Sequence, residues 1–163
     1  MEWFSFFEKG IWFGFAALGF AILFNVPPRT LLIIWLLAAV GGLTKLLMLH
    51  FDIGVVLASF GGASVIGILS IPAAHNKHAP PLVFAIPAVI PMVPGVFAYK
   101  MILGLIKLAG DPNTSLYPQI LSETVNNALK VLFILMSLAV GVAIPMLITR
   151  KNSIKDIKIK KKV

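Results

Sequence analysis

The stretch Ala85-Ile86-Pro87-Ala88-Val89-Ile90-Pro91-Met92-Val93-Pro94-Gly95, followed one turn later by Tyr99 and Lys100, decides how this chain is read. In water so many prolines would mark a loop. Here the stretch lies inside a segment, Pro81 to Ala109, that contains no acidic residue and is longer than the ~20 mostly apolar residues needed to cross a bilayer core. Each proline lacks a backbone donor and crowds the carbonyl four residues earlier, so a helix here must kink or break. Backbone left unpaired at membrane depth persists only where protein buries it or where it lines a wet cavity. The segment is therefore the first place to look for a path through the membrane.

Composition extends the same argument outward. The chain of 163 residues is 59% hydrophobic and 12% charged, a balance far from that of soluble domains. The expected fold is an all-α integral membrane protein of about five transmembrane helices, the fourth broken by Pro and Gly. No soluble domain is expected. Residues 1–149 form the transmembrane domain and residues 150–163 a basic tail. Cysteine is absent, which excludes disulfides and thiolate metal sites.

The net charge of +8 is concentrated in the tail, where Arg150, Lys151, Lys155, Lys158, Lys160, Lys161 and Lys162 face a single acid, Asp156. A basic segment directly after a span marks the cytoplasmic side and meets anionic lipid. No aromatic residue interleaves with the lysines, so base stacking lacks a platform and nucleic acid is not the expected partner. The amino terminus carries Glu2 and Glu8 without a basic n-region, so the first span is expected to be retained rather than cleaved.

The spans are expected near Phe6–Phe24, Thr30–Leu49, Ile53–Ile71, Pro81–Ala109 and Tyr117–Ile148. The first ends at Asn25-Val26-Pro27-Pro28 and the third at Pro72, where proline stops a helix. A polar loop, His75-Asn76-Lys77-His78, follows, and Gly110 to Ser115 reads as a turn. With five spans, Arg29, Lys77 and the tail share one side, while Asp52 and Asp111 lie on the other, with Lys107 as the exception. That pattern puts the carboxyl terminus in the cytoplasm. In span three, Ser59, Ala63 and Gly67 form one stripe and Ala58, Gly62, Ile66 and Ser70 a second, so close helix contact is expected on two sides. Gly10 and Gly14 offer a notch in span one.

Charge inside the membrane is costly and so is usually tied to function. Lys45, a turn from the end of span two, is expected to snorkel outward. Lys100, just past the break, fits two readings: a cation that binds a carboxylate, or one that snorkels or pairs with Glu123. Glu123, Asn127 and Lys130 share a face at helical spacing, either an external vestibule or a solvated helix end. His75 and His78 have no accompanying carboxylate, so no metal site is expected. No nucleotide-binding loop or nucleophile–base pair occurs, no cofactor is implied, and enzyme activity has no support.

Phe24-Asn25-Val26-Pro27 after the first span, Ile90-Pro91-Met92-Val93-Pro94-Gly95 leading to Tyr99, and Asn127 followed by Ile144-Pro145 together resemble the threonine/serine exporter family, in particular its small YjjB-like membrane subunits. The resemblance covers Phe20 to Ile148. It implies five helices equivalent to the carboxyl-terminal half of fused ten-helix exporters, and a YjjP-like partner supplying the other half. Fused members export threonine and serine; split pairs are linked to succinate. The basic tail and Lys130 depart from the pattern.

The expected function is thus one subunit of a two-component secondary exporter of small carboxylate metabolites in the bacterial inner membrane. Threonine and serine are the leading substrates and a C4-dicarboxylate such as succinate the alternative. Lys100 would attract the carboxylate, Tyr99 and Asn127 would hydrogen-bond it, and Pro91, Pro94 and Gly95 would form the hinge. Glu123 is the candidate for proton coupling, and Asn25 with Pro27 forms the motif turn. A non-transporting scaffold subunit is the rival from another class, and assembly as a homo-oligomer is compatible with either. A channel or lipid-binding role stands further off, since ion selectivity needs a ring of carbonyls or charges.

Overall fold

Six α-helices follow one another in a computed structural model that describes residues 3–110 and 115–149. They are α1 (Trp3–Leu23), α2 (Leu31–His50), α3 (Val55–Lys77), α4 (Pro81–Val89), α5 (Gly95–Gly110) and α6 (Tyr117–Thr149). Helices α1, α2, α3 and α6 are each long and apolar enough to cross a membrane, and α4 with α5 forms a bent pair that passes the same test of length and apolarity together. The described residues contain no strand. The basic tail 150–163 and residues 111–114 of the turn after α5 lie outside the described residues.

Three helices end on non-glycine residues in the left-handed region: Asn25 (φ 54°), Asp52 (φ 56°) and His78 (φ 50°). Short polar side chains tolerate that conformation better than branched ones. At Asn25 the turn is closed by Val26 N–H donating to the Ala21 carbonyl at 3.0 Å, which satisfies a carbonyl the helix end would otherwise leave open. Thr30, fully buried, then donates its hydroxyl to the Pro27 carbonyl at 2.7 Å. The Asn25–Pro27 motif therefore works as a helix stop that fixes the entry of α2.

Helix α3 is the central element, and its two small-residue stripes meet two different neighbours. At the α2 crossing, a Cβ added to Gly62 would lie 2.6 Å from the Gly41 carbonyl oxygen. At the α6 crossing, a Cβ on Gly141 would lie 2.9 Å from the Phe60 carbonyl oxygen and equally close to the Ala63 Cβ. Backbones approach this closely only where side chains are missing, and dispersion then holds the pair where lipid supplies no hydrophobic drive. Ser137 reinforces the α3–α6 contact by donating to the Val56 carbonyl at 2.7 Å. The notch in α1 is filled by side chains of α2, with Leu43 against Gly10 and Trp35 against Gly14.

Two expectations about α3 are corrected. The helix does not stop before Pro72 but continues through it to Lys77, so His75, Asn76 and Lys77 are helical and only His78 begins the turn. A proline inside a helix removes one donor, and a membrane-spanning bundle tolerates that loss because neighbouring elements hold the rest of the helix in place. In the following turn His75 Nδ1 and the Ile71 carbonyl lie 2.9 Å apart.

The break in the fourth span falls at Val93 and Pro94. Pro87 stays inside α4, Pro91 lies in a single 3-10 turn at Ile90–Met92, and Val93 is extended (φ −58°, ψ 138°). A residue before proline is pushed out of the helical region, so the bend forms here, and the two halves meet at 55°. Pro94 is buried, and its carbonyl accepts from Ala98 N–H at 3.1 Å to begin α5.

Candidate functional site

Beyond the break, α5 packs along the first half of α6 and leaves most of its surface uncovered; Gly104 is its one buried residue. The two helices run antiparallel, with Lys130 Nζ 5.2 Å from the centre of the Phe97 ring at one end of the contact. At the crossing point, a Cβ on Gly104 would collide with the Thr124 hydroxyl. Thr124 Oγ1 itself donates to the Ile120 carbonyl at 2.6 Å. Glycine opposite an inward threonine is therefore what lets this pair close.

The close approach shapes a cleft of about 250 Å³ lined by Lys100, Lys107, Glu123, Thr124 and Asn127 together with Leu103, Gly104 and Ile120. Phe97, Lys100, Gly104 and Lys107 recur along α5 at intervals of three and four, which places them on the face toward α6. Ile120, Glu123, Thr124, Asn127 and Lys130 do the same on α6. Two ammonium groups, one carboxylate and one amide thus converge on one opening. Glu123 Oε1 also takes a long hydrogen bond, 3.4 Å, from Gln119 Nε2 one turn earlier.

Of the residues singled out in the sequence, Lys100, Glu123 and Asn127 are brought together here. Tyr99 is not: it is 63% exposed and does not line the cleft. One residue along a helix is a rotation of about 100°, so Tyr99 cannot share the face that carries Lys100. Gly95 stands at the start of α5 with negative φ and with nothing within 4 Å of where a Cβ would lie. Its position is open space, not a steric requirement. Lys107, read first as an exception to the charge pattern, is a cleft residue, and the i, i+7 spacing from Lys100 is the signal that could have found it.

Lys45 also departs from expectation. It does not point outward along α2 but donates from Nζ to the Met92 carbonyl at 2.9 Å, across the interior. Its Cβ and the Met92 Cε both lie against Gly62. Val93 N–H and Gly95 N–H turn back to the Ile90 and Val93 carbonyls, and Pro94 has no N–H to give. The break therefore leaves Met92 O to accept from a side chain, and Lys45 supplies the donor. Ser59 Oγ, on α3, is buried without a hydrogen-bond partner.

Comparison with known proteins adds family to geometry. The family model described as "Threonine/Serine exporter, ThrE" matches residues 9–148. An uncharacterized protein of Haemophilus influenzae (strain KW20 / Rd) is 38% identical over 130 residues, covering 79% of this chain and 42% of that protein. The chain thus spans less than half the length of that relative. No solved structure matches it. The match, which runs through nearly all the described helices, shows that this chain of several apolar spans belongs to the threonine/serine exporter family of multi-pass membrane proteins.

Proposed function

We propose that the chain is the membrane subunit of a two-component secondary exporter of small carboxylate metabolites, and that the α5–α6 cleft is where the solute binds. The observation that carries this reading is the convergence of Lys100, Lys107, Glu123 and Asn127 on one opening beside a broken span. Lysine ammonium groups attract a carboxylate, Asn127 orients it, and Glu123 complements the ammonium of an amino acid such as threonine or serine. The Val93–Pro94 break supplies the hinge about which α5 swings, as broken helices do in other secondary transporters.

A second reading is favoured by one detail. Two lysines against one acid also suit a C4-dicarboxylate such as succinate, with a carboxylate at each cation. In either case a partner of YjjP-like type would provide the missing half of the path. The length of the Haemophilus influenzae relative, of which this chain covers 42%, supports the idea of a second half. The position of Arg29 and Lys77 at one end of the bundle, and the basic sequence that follows α6, support a cytoplasmic carboxyl terminus in a bacterial inner membrane.

The deciding experiment is efflux of labelled threonine and labelled succinate from cells lacking their own exporters, with this chain alone and with its partner. Efflux only when both are present is the expected result, and the label that moves names the substrate class. Efflux with this chain alone would replace the two-component reading by a homo-oligomeric one. No efflux of either solute from an assembled complex would leave the scaffold role.

A further inference from the structure

Helix α4 and the 3-10 turn after it form one arm, Pro81–Met92, that stops at the break. The end of such an arm presents carbonyl oxygens and the negative pole of the helix dipole. Pro91 and Pro94 strengthen that pole, because neither brings an N–H to the carbonyls behind it. In secondary transporters with broken helices, half-helix ends of this kind coordinate the coupling cation. Here the cation at the end of the arm belongs to the chain itself, since Lys45 Nζ donates to the Met92 carbonyl at 2.9 Å.

Glycine makes room for that contact. A Cβ on Gly62 of α3 would lie 3.2 Å from the Lys45 Cβ and 2.5 Å from the Met92 Cε, so any larger residue would push the lysine stem and Met92 away. Among the described residues Lys45 has no ion pair. Glu8 and Lys9 on α1, His50 at the end of α2 and Asp52 in the next turn are all exposed. Helix α3 carries its titratable groups, His75 and Lys77, after Pro72, and the arm itself carries none. Past the break, Lys100, Lys107 and Glu123 line the α5–α6 cleft, Lys130 lies over the Phe97 ring and Tyr99 is exposed. The ammonium of Lys45 is therefore met by backbone dipoles and by no carboxylate. A neutral amine would keep the bond at about half its strength and lose the attraction of the pole.

We propose that Lys45 is a positioning residue whose proton sets the bend of the broken span. As an ammonium it clamps Met92 and holds the arm and α5 at 55°; as a neutral amine it lets the break relax, the proton passing to water and returning from it. Acid holds the bend and alkali releases it. The proposal rests on the reading of the break as the hinge of a transporter, and it assigns the titratable control of that hinge to Lys45 instead of Glu123.

The test reads the bend as a distance in the full-length protein in lipid vesicles. Cysteine is absent from the chain, so spin labels at Leu82→Cys and Ile106→Cys, exposed positions on either side of the break, report that distance alone by pulsed EPR. The pH is varied from about 5 to about 10, the range over which lysines in apolar surroundings titrate. With Lys45 present, one narrow distance is expected to give way to a second, broader distribution as pH rises. The ratio of the two should change by at most about tenfold per pH unit, the slope of a single proton. Lys45→Met is expected to show the alkaline distribution at every pH, and Lys45→Gln takes its place if the methionine variant does not fold. A distance that does not move with pH, or that moves equally without Lys45, overturns the proposal. The measurement needs neither solute nor partner. A pH-dependent bend without efflux of threonine or succinate would remove the substrate reading and keep Lys45 as the control, whereas a fixed bend with efflux intact would do the reverse.

Discussion

Lys45 Nζ lies 2.9 Å from the carbonyl oxygen of Met92 and ties α2 to the break in the fourth span, 47 residues along the chain. Two opposing energies meet in that contact. Holding a lysine inside a membrane helix costs up to about 2.5–3.5 kcal/mol on insertion scales, the value at the helix centre, and less at Lys45, about a turn from the end of α2. A hydrogen bond from a charged donor to a carbonyl with no other partner returns about 1.5–3 kcal/mol. The two are of the same order and opposite sign, so the bond adds little net stability and serves to fix the angle of the break.

Lys45→Met should therefore change the thermal stability of the purified protein by no more than about 1 kcal/mol while loosening the hinge. Labelling of a cysteine placed at Val93, which is exposed, measures that motion. Faster labelling in Lys45→Met with an unchanged melting temperature is the expected result. Equal labelling rates would show that Pro94 alone sets the bend.

Gly95→Ala should leave the fold intact, because a Cβ there meets nothing within 4 Å. Alanine is favoured over glycine by about 0.8–1 kcal/mol in a helix interior and by less at a first residue such as Gly95, so the melting temperature should hold or rise slightly. If the break moves during transport, the stiffer start of α5 slows efflux at unchanged expression. Efflux equal to the wild type would remove Gly95 from the hinge.

Gly104→Ala should separate α5 from α6, since the added Cβ collides with the Thr124 hydroxyl. Thr124→Ala in the same chain removes the colliding oxygen and should restore part of the loss. A favourable coupling of about 1–2 kcal/mol between the two substitutions is expected for residues in direct contact. Additive effects would mean that the two helices do not cross at this point.

Glu123→Gln separates the two substrate readings. The neutral amide no longer balances the ammonium of an amino acid, so efflux of threonine should fall at least about tenfold, the equivalent of ~1.4 kcal/mol. Efflux of succinate, which has no ammonium to bind, should persist. Equal loss of both solutes would point to Glu123 acting on the hinge or on coupling rather than on the substrate. Lys100→Gln should weaken either carboxylate substrate by a comparable factor, read as a raised half-saturation concentration.

Much of this molecule was legible before any tertiary contact was known. The long apolar runs of α1, α2, α3 and α6, the break at Pro94 and the two small-residue stripes of α3 follow from composition and spacing, because the bilayer forces each span to satisfy its own backbone. The face shared by Glu123 and Asn127 follows from helical periodicity. The Asn25-Val26-Pro27 stop is equally local, since a left-handed asparagine and two prolines end a helix wherever it lies.

Other features were decided only when helices met. Pro72 stops a helix by local rules, yet α3 runs through it because its packed neighbours hold both sides in line. Tyr99 and Lys100 are adjacent in sequence, but only the contact between α5 and α6 shows which of them faces the cleft. Lys107 became a cleft residue because Gly104 lets α5 close against Thr124. The direction of Lys45 depended on a carbonyl freed far along the chain. The sequence by itself determined where spans begin, break and narrow, because those choices are made within a few turns of backbone in lipid. Which charges meet was left to the tertiary structure, because a long side chain turns toward whichever unpaired group folding brings within reach.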